Sequence, residues 1–200
     1  MGFLEVDVIA RRLVLLTTLL LALPAAAQAQ QARTYSVKKD GSSLTYKLKH
    51  KLHEVVGKAS PSDGKARLLA DGTLQVAVRA NVKDFDSGNS NRDAHMQEVT
   101  ESAKFPLIDF KGVASGVKVP ASFPAKVPVT LKGQLTFHGV KQNIEVPMTV
   151  VFNTDKQAVA EGTFDISLEA YKIDRPSLLM VKVDDKLVLE SKLVFEVEGQ

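Results

Sequence analysis

From Ser42 to the C-terminus, apolar and polar residues alternate with a period of two, and this alternation most limits what the chain can fold into. In "SSLTYKLKH", Leu44, Tyr46, Leu48 and His50 share one face, while Ser43, Thr45, Lys47 and Lys49 take the other. The same parity runs through "TLQVAVRANV" (73–82), "VTLKGQLTF" (129–137), "NIEVPMTVVF" (143–152), "TFDISLEA" (163–170) and "LVLESKLVFEV" (187–197). Each segment reads as a strand with one dry and one wet face. Turn signals separate them at Asp40-Gly41, Asp63-Gly64, Asp71-Gly72, His138-Gly139, Asn153-Thr154-Asp155 and Asp184-Asp185. Half-wet strands at short spacing call for an antiparallel all-β sandwich or barrel, since a parallel sheet needs crossover helices and strands apolar on both faces. Pro147 falls inside a strand pattern and is expected at a bulge or beside a weakly paired neighbour. "VPASFPAKVP" (119–128) reads as a connection.

One segment leaves this pattern. From Ser90 to about Ala103, Met96, Val99 and Ala103 follow a helical face, and Ser90-Asn91-Arg92-Asp93 resembles a capping box, which predicts a short helix. On that helix Asp93 and His95 are two positions apart and point to different sides, so they do not make a base and its orienting acid. Arg92 and Asp93 are better suited to fixing the helix to a barrel rim through charge-assisted hydrogen bonds.

Other chemistry is sparse. His53-Glu54-Val55-Val56-Gly57 begins like a zinc-protease motif, but Gly57 stands where the second histidine belongs and the surroundings are strand-like. His138 precedes Gly139 at a turn and reads as a plain turn residue. No nucleophile elbow, phosphate loop or dinucleotide fingerprint occurs, so no catalytic residue, metal or cofactor is assigned. The net charge is +3, with Lys and Arg interspersed among Asp and Glu, Trp absent and three Tyr, which argues against nucleic acid as a partner. Without cysteine, stability rests on packing. The dry face is mostly Leu, Val, Ile and Phe; it suits either a solid core or a cavity for an apolar ligand, and parity does not separate the two.

At the N-terminus, Arg11 and Arg12 precede an apolar run from Leu13 to Leu23, then Pro24 and small residues with an A-x-A pattern ending at Ala27 or Ala29. The run is too short to span a bilayer and predicts a cleaved signal peptide over 1–29, leaving one domain over 30–200. The general export route fits better than a twin-arginine signal.

Beyond these readings, "LTYKLKH" (44–50), "VVGKA" (55–59) leading to Gly64, "DFDSGNSNRDAHM" (84–96), "KFPLIDFKG" (104–112) and "GQLTFHGVKQ" (133–142), in this order and spacing, resemble the YceI-like proteins. The resemblance runs from about Tyr35 to Val197. It implies a lipocalin-like antiparallel β-barrel with a short helix at one end, and a periplasmic protein whose hydrophobic tunnel carries or stores a polyisoprenoid or isoprenoid quinone without catalysis. By the same resemblance Leu44, Tyr46, Leu48, Val76, Val78, Phe85, Ile108, Phe110, Leu135, Phe137, Phe164 and Ile166 would bind the ligand. Asn89, Arg92, Asp93 and His95 would form a polar segment near the tunnel end. The chain departs from the family at "EVTESA" (98–103) and "DRPSLLMVKV" (174–183), where Leu178, Leu179 and Met180 would serve as a flap, a transient membrane contact or a homodimer contact. Two other classes stay open: an envelope hydrolase or isomerase using His50, His53 or His95, and a partner-docking module with a filled core.

Overall fold

The computed structural model describes residues 31–51, 53–178 and 181–198. The expected signal segment and two residues of the apolar triplet, Leu179 and Met180, lie outside the described residues, so neither expectation is addressed by the fold.

The alternating segments curl into a closed antiparallel barrel. The wall is built from β1 (Arg33–Lys49), β2 (Glu54–Ala59), β3 (Asp63–Leu68), β4 (Leu74–Asn81), β5 (Leu107–Ala114), β6 (Ala125–Phe137), β7 (Val140–Phe152), β8 (Gln157–Ser167) and β11 (Lys186–Val197), with a small ribbon of β9 (Ser177–Leu178) and β10 (Val181–Lys182) beside it. Around the barrel the order is β1, β3, β4, β5, β6, β7, β8 and β11, and β11 pairs back with β1 to close it. Among the described residues this makes eight positions, with β2 and β3 sharing one of them along the length of β1. Closure removes most of the free edge that an open sheet would present.

Local chemistry explains several joints. His138 and Gly139 both take left-handed backbone (φ 50° and 71°), the primed turn that matches the twist of the hairpin it joins, β6 to β7. Gly133 faces Gly112 across the β5–β6 pair, and a Cβ at 133 would lie 2.2 Å from the Lys111 carbonyl oxygen, so only glycine lets the two strands approach. Pro147 pairs with Thr130 on one side, and on the other the β7–β8 ladder begins one residue later, at Met148. Without an N–H to donate, the proline sits where the ladder stops.

Some sequence expectations need correction. Asp40-Gly41 does not end a strand; it lies in a bulge inside the 17-residue β1, where the register to β11 shifts between Lys38 and Ser43. Ser42 stitches that bulge, its Oγ donating to the Lys38 carbonyl at 2.5 Å and accepting from Val194 N at 2.9 Å. Asp63-Gly64 opens β3, and the real break between β2 and β3 falls at residues 60–62 around the buried Pro61. The helix, α1 (Ser90–Val99), stops four residues short of Ala103, and its cap is Asn89, whose side chain accepts from Arg92 N at 3.1 Å. The strand expected over 163–170 ends at Ser167, and Glu169–Tyr171 form a 3-10 turn.

The dry faces meet inside the barrel in two apolar clusters. One gathers Tyr35, Leu68, Phe152 and Phe195; the other, at the end carrying α1, gathers Tyr46, Val82, Phe137 and Tyr171.

Candidate functional site

The inward side chains do not fill the barrel. They leave a cavity of about 620 Å³, within the ordinary range for ligand sites. Its wall is almost wholly apolar. β6 lines it from Val129 to Phe137, which at ~3.3 Å per residue and ~40° tilt corresponds to an axial length on the order of 20 Å. All twelve residues expected to face a tunnel line it: Leu44, Tyr46, Leu48, Val76, Val78, Phe85, Ile108, Phe110, Leu135, Phe137, Phe164 and Ile166.

The two ends differ. At one, Val117 turns inward from the connection between β5 and β6, 5% exposed, with its N–H donating to the Gly72 carbonyl at 2.9 Å, and packs against the cluster containing Phe152 and Phe195. At the other, the exposed residues His53, Asn89, Asn91, His95 and Ser177 line the same cavity, so it reaches the surface beside α1. An oily tube closed at one end and rimmed by polar groups at the other fits an amphiphile with its tail inward.

The rim is positioned through Ser87. Arg92 Nε donates to Ser87 Oγ at 2.8 Å and Arg92 Nη2 donates to the Ser87 carbonyl at 2.6 Å. Asp93 Oδ1 accepts from Ser87 Oγ at 2.5 Å and from Ser87 N at 3.1 Å. Next to this residue, Asp86 forms a two-bond bridge with Lys58 of β2. The first turn of α1 is therefore anchored to the wall through one serine. Arg92 and Asn89 line the cavity, whereas Asp93 does not. His95 is exposed at the rim, with Nδ1 3.5 Å from Glu98 Oε2. Asp93 and His95 thus serve separate partners, as their spacing requires.

His50 and His53 flank a tight turn after β1, with rings 5.4 Å apart and reciprocal backbone bonds of 2.9 and 3.2 Å. Among the described residues, no three His, Cys, Asp or Glu side chains converge on a point where a metal would sit. Tyr46 lies near the helix: burial pushes its hydroxyl pKa up, Asp93 adds to the rise, and Arg92 opposes it. It is a neutral polar group in an apolar wall.

Sequence reasoning missed part of the lining. Thr100, the C-cap of α1, and Ile173 and Val183 line the helix end, together with Met96, Val99 and Leu168, which the helical face and the strand alternation had singled out without assigning them to the lining. Val129, Leu131, Val146, Met148, Leu187, Leu193 and Phe195 also line the cavity, and the alternation already placed them on dry faces. Nothing in the local pattern marks Val117, which comes from a connection.

Solved structures of other proteins share this fold. A polyisoprenoid binding domain from Saccharophagus degradans implicated in plant cell wall breakdown is 16% identical, with a TM-score of 0.65 over 82% of this chain and 98% of that one. BcnA of Burkholderia cenocepacia is 20% identical, with a TM-score of 0.62 over 79% of this chain and 98% of that one. Among curated proteins, none matches the sequence. The YceI-like domain model matches residues 35–195, nearly all of the barrel wall together with α1, and this chain belongs to that family.

Proposed function

We propose that the protein is an exported carrier or store for a long-chain isoprenoid lipid or isoprenoid quinone, acting in the periplasm after removal of residues 1–29. The observation that carries this reading is the apolar cavity with one closed and one polar end. Burial of hydrocarbon contributes about 0.8 kcal/mol per CH2, or roughly 3–4 kcal/mol gross for each five-carbon unit. A tail therefore needs no polar contact along its length. The head group would remain near Asn89, Asn91, Arg92 and His95, where donors and water are both within reach. Transient contact of this end with a bilayer would let the tail transfer without crossing water.

Supporting points come from outside the cavity as well. The Saccharophagus degradans domain of similar fold is a polyisoprenoid binding domain. A periplasmic setting suits a YceI-like protein and agrees with the basic-then-apolar N-terminal pattern.

Native mass spectrometry of protein purified from its host, followed by organic extraction, tests the proposal. A defined co-purifying isoprenoid at one per chain is the expected result. Protein that carries no lipid and takes up none from isoprenoid-containing vesicles would overturn it.

A further inference from the structure

The His138-Gly139 turn belongs to a distinctive sequence stretch that the cavity does not explain. Three non-glycine residues have left-handed backbone among the described residues: Glu101 (φ 45°), His138 (φ 50°) and Lys172 (φ 58°). Each ends an element, and the three ends meet at one imidazole. His138 Nε2 lies 2.9 Å from Glu101 Oε2, just beyond α1, and Nδ1 lies 2.9 Å from the carbonyl oxygen of Tyr171, next to Lys172. The ring is largely buried, its side chain 10% exposed, with Phe105 edge-on at 4.9 Å.

The two contacts place a demand on protons. A carbonyl oxygen only accepts, and so does an ionised carboxylate, whereas a neutral imidazole has a single N–H. Nδ1–H must serve Tyr171. The Glu101 contact then needs a second proton, shared between Nε2 and Oε2. Without it, a nitrogen lone pair faces a carboxylate oxygen at 2.9 Å.

The tied segments are those that close the open end of the tunnel. Thr100, next to Glu101, lines the cavity from α1; Leu168 and Ile173, on either side of Tyr171, line it from the opposite segment. Their attachments differ. Gln142 on the same hairpin donates to the Ala170 carbonyl at 3.0 Å, so the 3-10 turn keeps a tie that is independent of protons. The segment after α1 meets the hairpin through the polar Glu101–His138 contact, beside the apolar packing of Phe105 on the same ring.

We propose that His138 is a proton-dependent latch that holds the C-terminal end of α1 over the tunnel mouth and releases that end, but not the 3-10 turn, when the shared proton leaves. Its effect on ligand exchange rests on the lipid-carrier reading; the latch itself does not. The charged groups on the packed elements are Glu101 and Lys104 after α1, Glu169 and Lys172 at the 3-10 turn, and Lys141 on the hairpin. Lys104 Nζ is 3.9 Å from Glu101 Oε1. The latch is complete while the shared proton is held and is lost when that proton is removed.

Glu101→Gln tests the idea sharply, because an amide N–H can donate to Nε2 of a neutral imidazole and make the contact proton-independent. The residue is half exposed, so the fold should tolerate the change. The first readout is amide exchange in the lipid-free chain, corrected for intrinsic rates. Ser102 N, bonded to Gln97 O, reports α1, and Ile173 N, bonded to Leu168 O, reports the 3-10 side. Protection at Ser102 should fall about tenfold or more between pH 5.5 and 8.5 while Ile173 holds. Glu101→Gln should abolish that step. A step of equal size at both amides, a step that survives in Glu101→Gln, or no step at all would overturn the latch. The second readout is release of N-phenyl-1-naphthylamine, which should accelerate over the same pH range in the unaltered chain only; release independent of pH would overturn the role at the mouth. Protein that takes up no probe would count against the lipid reading, and exchange alone would then decide the latch.

Discussion

Tyr46 stands directly opposite Gly57 across the β1–β2 pair, and its ring occupies the space a side chain at 57 would need: a Cβ there would lie 2.3 Å from Tyr46 Cε1. The glycine lets the ring lie against the wall, 5.7 Å from Phe85, instead of standing across the lumen. Gly57→Ala should therefore push Tyr46 into the cavity. Overpacking of this kind costs about 1–3 kcal/mol. A lower denaturant midpoint, restored when Tyr46→Leu is added, is the expected signature, and full additivity of the two changes would argue against the contact.

Leu135 is 4% exposed and faces the cavity from β6, within the apolar cluster at the helix end. Leu135→Trp should obstruct the lumen, with lipid retention lost and far-ultraviolet circular dichroism unchanged. Retention at the unaltered level would remove the cavity around Leu135 from the binding site.

Ser87 accepts from Arg92 and donates to Asp93 through a single oxygen. Ser87→Ala strips both charged groups of that partner and should cost roughly 1–3 kcal/mol. Thermal melts would give the loss, and amide exchange should place it in the first turn of α1. A change spread evenly over the barrel would indicate another cause.

Tyr171 is 1% exposed and its hydroxyl makes no hydrogen bond among the described residues. Burial pushes its pKa up to about 12. The fold thus favours the neutral phenol, a contribution present below the ordinary tyrosine range and lost as pH rises through about 12. Tyr171→Phe should raise stability at neutral pH by about 1 kcal/mol, because it removes a buried group with no partner. It should also flatten the alkaline limb of a stability–pH curve. A destabilised variant would mean that the hydroxyl is satisfied in solution.

Asp185 behaves in the opposite sense. Its pKa is lowered by hydrogen bonds from the Ser167 side chain and from Glu169 N, the latter at 2.8 Å. A depressed carboxylate stabilises above its ordinary range and loses that contribution as pH falls through its folded value. Asp185→Asn should lower stability modestly at pH 7 and make the acid limb shallower, as read by urea denaturation at pH 7 and pH 3. Parallel curves for the two proteins would exclude the carboxylate from acid unfolding.

The alternation from Ser42 onward determined that the strands would be antiparallel and half-buried, because a side-chain period of two is a property of the local chain. The same parity put Leu44, Tyr46, Leu135 and Phe137 on the face that turned out to be inside. The helix was legible at 90 because its residues break that period. Other features depended on partners far away in sequence. Asp40-Gly41 carries the chemistry of a turn, and only pairing with β11 on both sides of it makes it a bulge. The short β2 and β3 offer too few residues around Pro61 to signal strands, and β1 imposes their extended form. His138 reads as a turn residue until Glu101 and Tyr171 are brought to its two nitrogens. Most of all, an apolar face looks the same whether it packs solid or surrounds a space. Strand number, stagger and the inward fold of Val117 decided that, since the width of a closed barrel belongs to the whole sheet and not to any segment of it.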